Sequence, residues 1–574
     1  MLPRESLPNS RLVAMAAVSQ SQIKEIENLM ARYIATMQAT RPDILRAAPA
    51  SSALACCARP LRGFGGRSLL HYSKPISQNS RIKEFWSHSW HGPRWMVVMT
   101  VLLLNNSLAA IVISTLVSFL LGLFCAMDQL PPLEGPVEYD ALVSGWCQWG
   151  GMVAYVLTLF SWPSRKKIFL DLLCIDQTSE TEKQDALLSM GAFLKQSDSL
   201  IVFWDQTYTR RLWCVFELAA YLHSHGRGVI ILPTIAGPCF LCVTFSLGIF
   251  FILISFVGDQ DIQLFRAAVG VIACFCFYLT ISTFRRYFHS VKVCQQELKE
   301  FQFHRTLCYC CTVGHRSPSG GPMLCDRQIL HTCIRKWFGS ISEFESQVAN
   351  AVGESLVSQL GSFLGYRRSV MVLIPLAWGT MDLYFAQYRR RLTDPDRRWI
   401  EKHNILSAGI LELFRGLALW LGVGPFLLFL AVKMGHVFQK PRSSQILDCL
   451  LNMCIVVGIA GILVAILQIE PFYWVAVKSV GIEHDILEVG SFLYALTMII
   501  LSLCGFHCCL PRMVPVRDED TMPADEDTMP AMEHVADFMD DSHDSVIAET
   551  LGKVRIGDLP GSQAPSASKL TIAI

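Results

Sequence analysis

The sequence predicts an α-helical membrane protein of about eight spans, carrying one small α/β module that a pair of those spans interrupts. Three observations carry this expectation. Of 574 residues, 52% are hydrophobic and only 17% charged, with a mean hydropathy of +0.37, too apolar for a string of soluble domains. Most apolar residues fall in runs of roughly the 20 residues that a hydrocarbon core demands. Three other pieces, "KIFLDLLCID", "SLIVFW" and "GVIILP", are short and bounded by polar turns, which is a strand pattern.

Residues 96–125, 141–161, 238–257, 267–284, 406–432, 446–468 and 487–510 meet the length for a span. Residues 369–388 are an eighth candidate, weakened by Pro375 and Asp382. Basic flanks orient the first hairpin. Arg81, Lys83 and Arg94 precede it and Arg165, Lys166 and Lys167 follow it, while its connection holds Asp128, Glu134, Glu138 and Asp140 and no basic residue. The second hairpin repeats the pattern, with "GDQDIQ" between its spans and Arg285 and Arg286 beyond them. Segments 162–237 and 285–367 are therefore expected on the cytosolic side. The Arg-rich "YRRRLTDPDRRWIEK" at 388–402 faces outward if 369–388 spans, against the positive-inside tendency; with that span the total is eight and the tail returns to the cytosol.

The chain thus divides into a mostly disordered 1–80, a module of 81–95 and 162–237, an inserted hairpin 96–161, a second hairpin 238–284, a Cys-rich and helical segment 285–367, further spans in 368–510, and a disordered acidic tail 511–574. "SQIKEIENLMARYIATMQ" is the one amphipathic helix expected in the first part, and "MLPRESLPNSRL" has no apolar core and so no cleavable signal peptide. The tail, with "DEDTMPA" in tandem, buries too little to fold alone. A net charge of +1 gives no field that favours nucleic acid. The 21 cysteines lack a framework spacing and read as buried free thiols on a reducing side, with Cys56 and Cys57 an ordinary thiol pair or a lipid acceptor.

In the module, "KIFLDLLCID" at 167–176 reads as a strand, and "EKQDALLSMGAFLKQ" places Ala186, Leu187, Met190 and Leu194 near helical spacing. "SLIVFW", a helix at 211–223 and "GVIILP" follow. Strand and helix in alternation specify a parallel sheet with crossover helices. "RIKEFWSHSW" adds a strand that can join this sheet, because the hairpin after it returns to the same side.

These residues resemble a known family. "FWSHSW" is similar to the first-strand F-x-S-H box of TIR domains, and "IFLDLLCIDQ" to their second strand and following loop. "SDSLIVFWDQTYTRRLWCVFEL" resembles the third strand and third helix, with Trp-Cys-x-x-Glu-Leu the most specific match. More narrowly, the chain resembles multi-spanning TIR-like proteins of dinoflagellate algae, which share a later "CDR…WFG", here Cys325, Asp326, Arg327, Trp337, Phe338 and Gly339. The resemblance implies a flavodoxin-like module that signals at the bilayer through self-association or through another TIR-like protein. In members that cleave NAD it implies a glutamate in this helix that steadies positive charge as the nicotinamide bond breaks, and Glu217 takes that position. TIR domains continue past "VIILP" with a further helix, strand and closing helix, whereas this chain enters the membrane at Pro238. "ISEFESQVANAVGESLVSQLGSFL", apolar at Phe344, Val348, Val352, Leu356 and Leu360, could supply missing elements.

The chemistry fits a carboxylate beside a developing oxocarbenium ion. At about 100° per residue Glu217 lies off the core stripe of its helix. Open parallel sheets bind ligands beyond the C-terminal ends of their strands, where Asp171 to Gln177 and Asp205 to Tyr208 fall. Ser87, Asp171, Asp176 and Trp213 would line such an NAD cleft. Alternatively, Trp213, Cys214 and Leu218 simply pack the helix, with Glu217 solvated or paired to Arg210 or Arg211. Three functions stand in order: a membrane-anchored signalling or scaffolding protein, a membrane-tethered NAD+ nucleosidase using Glu217, and a transporter or channel with a regulatory module.

Cys308, Cys310, Cys311, His315 and Cys325, with His331 and Cys333 nearby, are soft donors suited to structural zinc. Their spacing matches no established zinc pattern, so the expectation is a reduced thiol cluster without metal. Asp382, Glu412, Arg415, Asp448 and Glu488 fall in or beside later spans, where ionisable groups are costly and often functional. Glu412 and Arg415 are three apart and can pair locally, and Asp448 and Glu488 lie within a turn of water.

Overall fold

The computed structural model describes residues 20–63, 69–77, 80–131, 145–226, 228–256, 263–316, 323–353, 364–393, 405–480, 486–509, 553–554 and 570–572. Most of them are helical. Among the described residues, six helices are long and apolar enough to cross a bilayer, and the chain is a multi-pass membrane protein: Arg94–Ala126, Ala236–Ile254, Ala267–Lys299, Gly409–Val437, Gln445–Ser479 and Ile486–Cys508. The return leg of the first hairpin is shorter than the sequence led us to expect. Trp146–Ser161 has 16 residues, about 24 Å of helix against a core of about 30 Å. It packs on Arg94–Ala126 through small residues, since a Cβ on Gly151 would come within 2.3 Å of Ser118 Oγ. The candidate at 369–388 is bent, with Tyr366–Val372 and Ile374–Ala386 meeting at 54°. Pro375 sits in the first turn of the second piece, where its missing N–H costs nothing. Residues 394–404 of the Arg-rich connection lie outside the described residues.

The sheet has the strands Arg46–Pro49 (β1), Lys74–Pro75 (β2), Ile82–His88 (β3), Lys167–Phe169 (β4), Ser197–Trp204 (β5) and Val229–Pro233 (β6), in the order β2-β1-β4-β3-β5-β6. The last four of that order run parallel, with Phe85 opposite Phe169 and Leu200, and Val202 opposite Ile231. Thus β3 reaches across the inserted hairpin to its partners. Both faces of the centre are covered, which is why β5 is continuously apolar and buried from Leu200 to Trp204. Phe85 stacks on Phe169 at 4.4 Å and Phe169 on Phe193 at 4.5 Å.

Three expectations are corrected. The strand at 167–176 stops at Phe169, because Asp171 opens one turn of helix, Asp171–Cys174, and takes the Leu172 N–H on its own carboxylate at 2.8 Å. The helix expected across 182–196 breaks at Ser189 into Glu180–Leu188 and Met190–Lys195; the Ser189 hydroxyl donates to the Asp185 carbonyl and accepts from the Thr40 amide. Residues 20–63 hold more order than one helix. β1 pairs antiparallel with β4 and covers an edge that would otherwise stand open. Arg-Ala-Ala-Pro has no β-branched residue, so only the waiting edge makes it a strand.

The amphipathic helix is present as Gln20–Ile34 and lies on the helix Asp326–Phe338, where Cys333 Sγ donates to the Ala31 carbonyl at 3.2 Å. The helix Ile341–Gln347 buries Phe344 against Phe301 and Phe338 and adds no strand to the sheet. Residues 354–363, including Leu356 and Leu360, lie outside the described residues, as do 1–19. Of the tail expected to be disordered, the structure describes Lys553–Val554 and Leu570–Ile572, which form a three-stranded sheet with Met323–Leu324.

Candidate functional site

The site is set by where the parallel strands end. Five residues (89–93) separate His88 from the helix starting at Arg94, and two (234–235) separate Pro233 from the helix starting at Ala236. At β3 and β6 the C-terminal edge of the sheet therefore runs straight into spanning helices. The joint is tight: Thr100 Oγ1 donates to the Thr234 carbonyl at 2.8 Å and accepts the Gly237 amide at 3.0 Å. A Cβ on Gly237 would meet the Thr100 backbone at 2.3 Å, so only glycine fits.

At that edge Ser87, on β3, donates to Glu217 Oε2 and shares a hydrogen bond of 2.7 Å with the Tyr208 hydroxyl. Glu217 is half-buried on the helix Leu212–His225. Asp171 lies close enough to act on it and accepts from Trp90 Nε1 at 2.9 Å. Asp205 accepts from the hydroxyls of Ser89 and Thr207. Arg211 donates to the Ser89 carbonyl and meets His91 Nδ1 at 3.1 Å. Neither Arg210 nor Arg211 forms an ion pair with Glu217, because the guanidinium of Arg211 is held by the 89–91 loop.

Burial pushes the Glu217 carboxyl up to about 8; the Ser87 hydrogen bond opposes this, the Asp171 charge adds to it, and Arg211 opposes it. Burial likewise holds the His88 imidazole below its ordinary value. At neutral pH the site thus holds a largely protonated acid and a neutral imidazole. The folded chain keeps a proton on Glu217 that the unfolded chain releases near 4.5, so this group's contribution to stability is full below 4.5 and is lost as pH rises through about 8. Glu217→Gln keeps an acceptor for Ser87 and removes the ionisation. Allowing for partial exposure, it is expected to stabilise the protein by about 2 kcal/mol at pH 8.5 and by almost nothing at pH 5. Denaturation of both chains in detergent at the two pH values checks this; a gap independent of pH would contradict it.

Of the residues singled out from sequence, Ser87 and Glu217 meet, Asp171 acts on Glu217 through its charge, and Asp176 and Trp213 are held elsewhere. Asp176 accepts from the amide and hydroxyl of Thr178 in its own turn, at 2.9 and 2.7 Å. Trp213 points the other way. It packs edge-on against Phe216 at 5.6 Å, sends Nε1 toward Asp326 at 3.5 Å and lines a cavity of about 20 Å³ with Met30, Leu187 and Leu330. Ser89, Trp90 and His91 carry the site without having been singled out, whereas Asp205 and Tyr208 fall in the 205–208 loop that the sequence placed at this edge. The serines and histidine of "SHSWH" were the visible signal for the 89–91 loop.

The candidate metal donors also separate into groups. Cys310, Cys311, His315 and Cys325 bring their ligand atoms within 4.8 Å of one another, whereas Cys308 groups with Cys310 and Asp326. Four of the five charges near the later spans, Asp382, Glu412, Arg415 and Asp448, are engaged by neighbours. Glu412 and Arg415 pair at 3.2 Å as expected, and Arg415 also reaches Glu470 at 2.9 Å. Asp448 pairs with Arg285 at 2.6 Å, and Asp382 accepts two backbone N–H groups. Comparison of the chain with family models, with curated proteins and with solved structures finds no match to any of them.

Proposed function

We propose that this is a membrane-anchored TIR-like protein that signals or scaffolds through association of its α/β module with a second copy or with another TIR-like protein. One observation carries the reading. Of the strand ends that in a TIR-like enzyme would admit a dinucleotide, those of β3 and β6 continue here into spanning helices, and polar side chains along this edge hydrogen-bond to one another. Apart from His88 Nε2, which is buried without a hydrogen-bond partner among the described residues, these groups satisfy one another, which suits them better to holding the module's shape than to admitting a large polar substrate. The module faces the cytosol on this reading, supported by the basic flanks of the first hairpin. Counting Trp146–Ser161 and the bent pair as spans gives eight, with the tail on the same side.

The test is the oligomeric state of the full chain. Singly labelled protein in lipid vesicles, counted by stepwise photobleaching, is expected as dimers or larger assemblies. Strict monomers at every protein density would sink the proposal.

A second reading, NAD cleavage, is favoured by the juxtaposition of Glu217 with Ser87 and Asp171 and by a carboxyl that titrates near 8. It requires nicotinamide release by the clustered wild type that rises with pH toward 8 and is abolished in Glu217→Ala and Glu217→Gln. Such a result would make the enzyme reading the better one.

A further inference from the structure

The Cys-rich segment holds a constellation that module association does not use. The ligand atoms of Cys310, Cys311, His315 and Cys325 lie within 4.8 Å of one another, and the Sγ atoms of Cys311 and Cys325 are 3.8 Å apart. Thiolates at opposite ends of a tetrahedral edge, each about 2.3 Å from zinc, would be about 3.8 Å apart. None of the three cysteines is in a disulfide.

The backbone is bent to gather them. Cys310 and Cys311 sit in the single turn Tyr309–Thr312, and the chain then passes through left-handed conformations at Gly314 (φ 64°) and His315 (φ 58°). The His315 amide donates to the Cys310 carbonyl at 2.7 Å, and the Met323 amide donates to the His315 carbonyl at 2.9 Å. A histidine held left-handed is strained, and strain of this kind persists where something fixes the residue. Its ring is exposed, so no burial of the side chain explains the fold-back.

We infer that Cys310, Cys311, His315 and Cys325 bind one zinc ion as a closed structural site. Three thiolates and an imidazole are soft enough to take zinc over magnesium or calcium, and four protein ligands leave no position open for chemistry. Each cysteine gives up its proton to solvent as the metal is taken. The ion fixes a platform. Next to it, the Cys325 amide donates to Glu27 Oε1 at 2.8 Å, tying in the helix Gln20–Ile34. Asp326 receives Trp213, and Trp337 stacks on Phe216 at 5.6 Å, both contacts with the Leu212–His225 helix that carries Glu217. Loss of the ion therefore loosens the seat of the module.

The grouping of Cys308, Cys310 and Asp326 shares one donor with this site and has only three, so the two are separable by substitution. Full-length protein, made in zinc-supplemented cells and washed with a weak chelator in detergent, is expected to carry about one zinc per chain by elemental analysis. Cys311→Ser and Cys325→Ser should lower that content at least about tenfold, and Cys308→Ser should leave it unchanged. His315→Cys supplies a fourth thiolate and should keep the metal, while His315→Ala should lose it; the first variant separates ligand loss from misfolding. Cobalt in place of zinc should give the visible absorption of a tetrahedral thiolate site in the wild type. The inference is overturned if the folded wild type is metal-free, or if zinc survives Cys325→Ser and leaves with Cys308→Ser.

Discussion

Arg285→Met is expected to destabilise the protein by about 3–5 kcal/mol, read as a shift in denaturant midpoint in mixed micelles. The guanidinium is only 4% exposed and uses most of its donor fork. Nε donates to the Phe438 carbonyl at 2.6 Å, Nη1 to Asn452 Oδ1 at 2.7 Å, and Nη2 to Asp448 Oδ1 at 2.6 Å and to the Lys440 carbonyl at 3.2 Å. Methionine fills the space and takes this donor from four acceptors; Asp448 keeps the Arg442 N–H at 3.2 Å, while Asn452, 1% exposed, loses its guanidinium partner. Arg285→Lys should recover less than half, because one ammonium cannot reproduce a planar fork. Asp448→Asn should cost less, about 1–2 kcal/mol, since its amide oxygen can still accept from Arg285 and only the counter-charge of the buried guanidinium is lost. Equal costs for Arg285→Met and Asp448→Asn would show that the ion pair alone matters and the carbonyl contacts do not.

Asp382→Ala comes next, with an expected loss of about 2–4 kcal/mol. The first-turn N–H groups of the helix Trp146–Ser161 have no intrahelical acceptor, as in any helix. Water does not reach them, because Cys147 and Gln148 are buried against neighbouring helices. Asp382, fully buried on the bent helix, accepts from the Cys147 amide at 2.9 Å and from the Gln148 amide at 2.8 Å. It thereby caps a helix 235 residues away in sequence and places a carboxylate at its positive end. Asp382→Asn keeps one oxygen and should cost about half as much. If Asp382→Ala unfolds at the wild-type midpoint, the cap is dispensable and the short helix is held by packing alone.

Both residues show where the sequence was legible and where it was not. Hydropathy located the spans because each is a local property of about 20 residues. It also read Arg285 as a topology marker and Asp448 as a residue near water. It could not show that they face each other, because their helices lie 163 residues apart. Asp382 looked like an anomaly in a weak span, and the amides it serves carry no side-chain signature at all. In the module, period and turn residues gave β3, β5, β6 and the helix of Glu217, and the basic flanks of the hairpin allowed β3 to join. Glu217 and Ser87 were both singled out, but their contact depends on the parallel register of β3 against β5. Trp213 failed as a cleft residue because its exposed-looking face is covered by Asp326–Phe338, a helix more than 100 residues later. The β1 strand was invisible, since alanine-rich chain becomes a strand only when an edge is waiting for it.

The interrupted sheet also imposes an order on biogenesis. Ile82–His88 is translated before the first hairpin, and its partners around Ile168 and Leu200 only after it. On the eight-span reading, a chain that crosses once and fails to return leaves the middle strand and its neighbours in different compartments, unable to pair. A closed sheet is then a certificate that the hairpin went in and came back. A chain without it presents the open edges of β3 and β5 to quality control, so that errors of insertion are exposed as errors of folding.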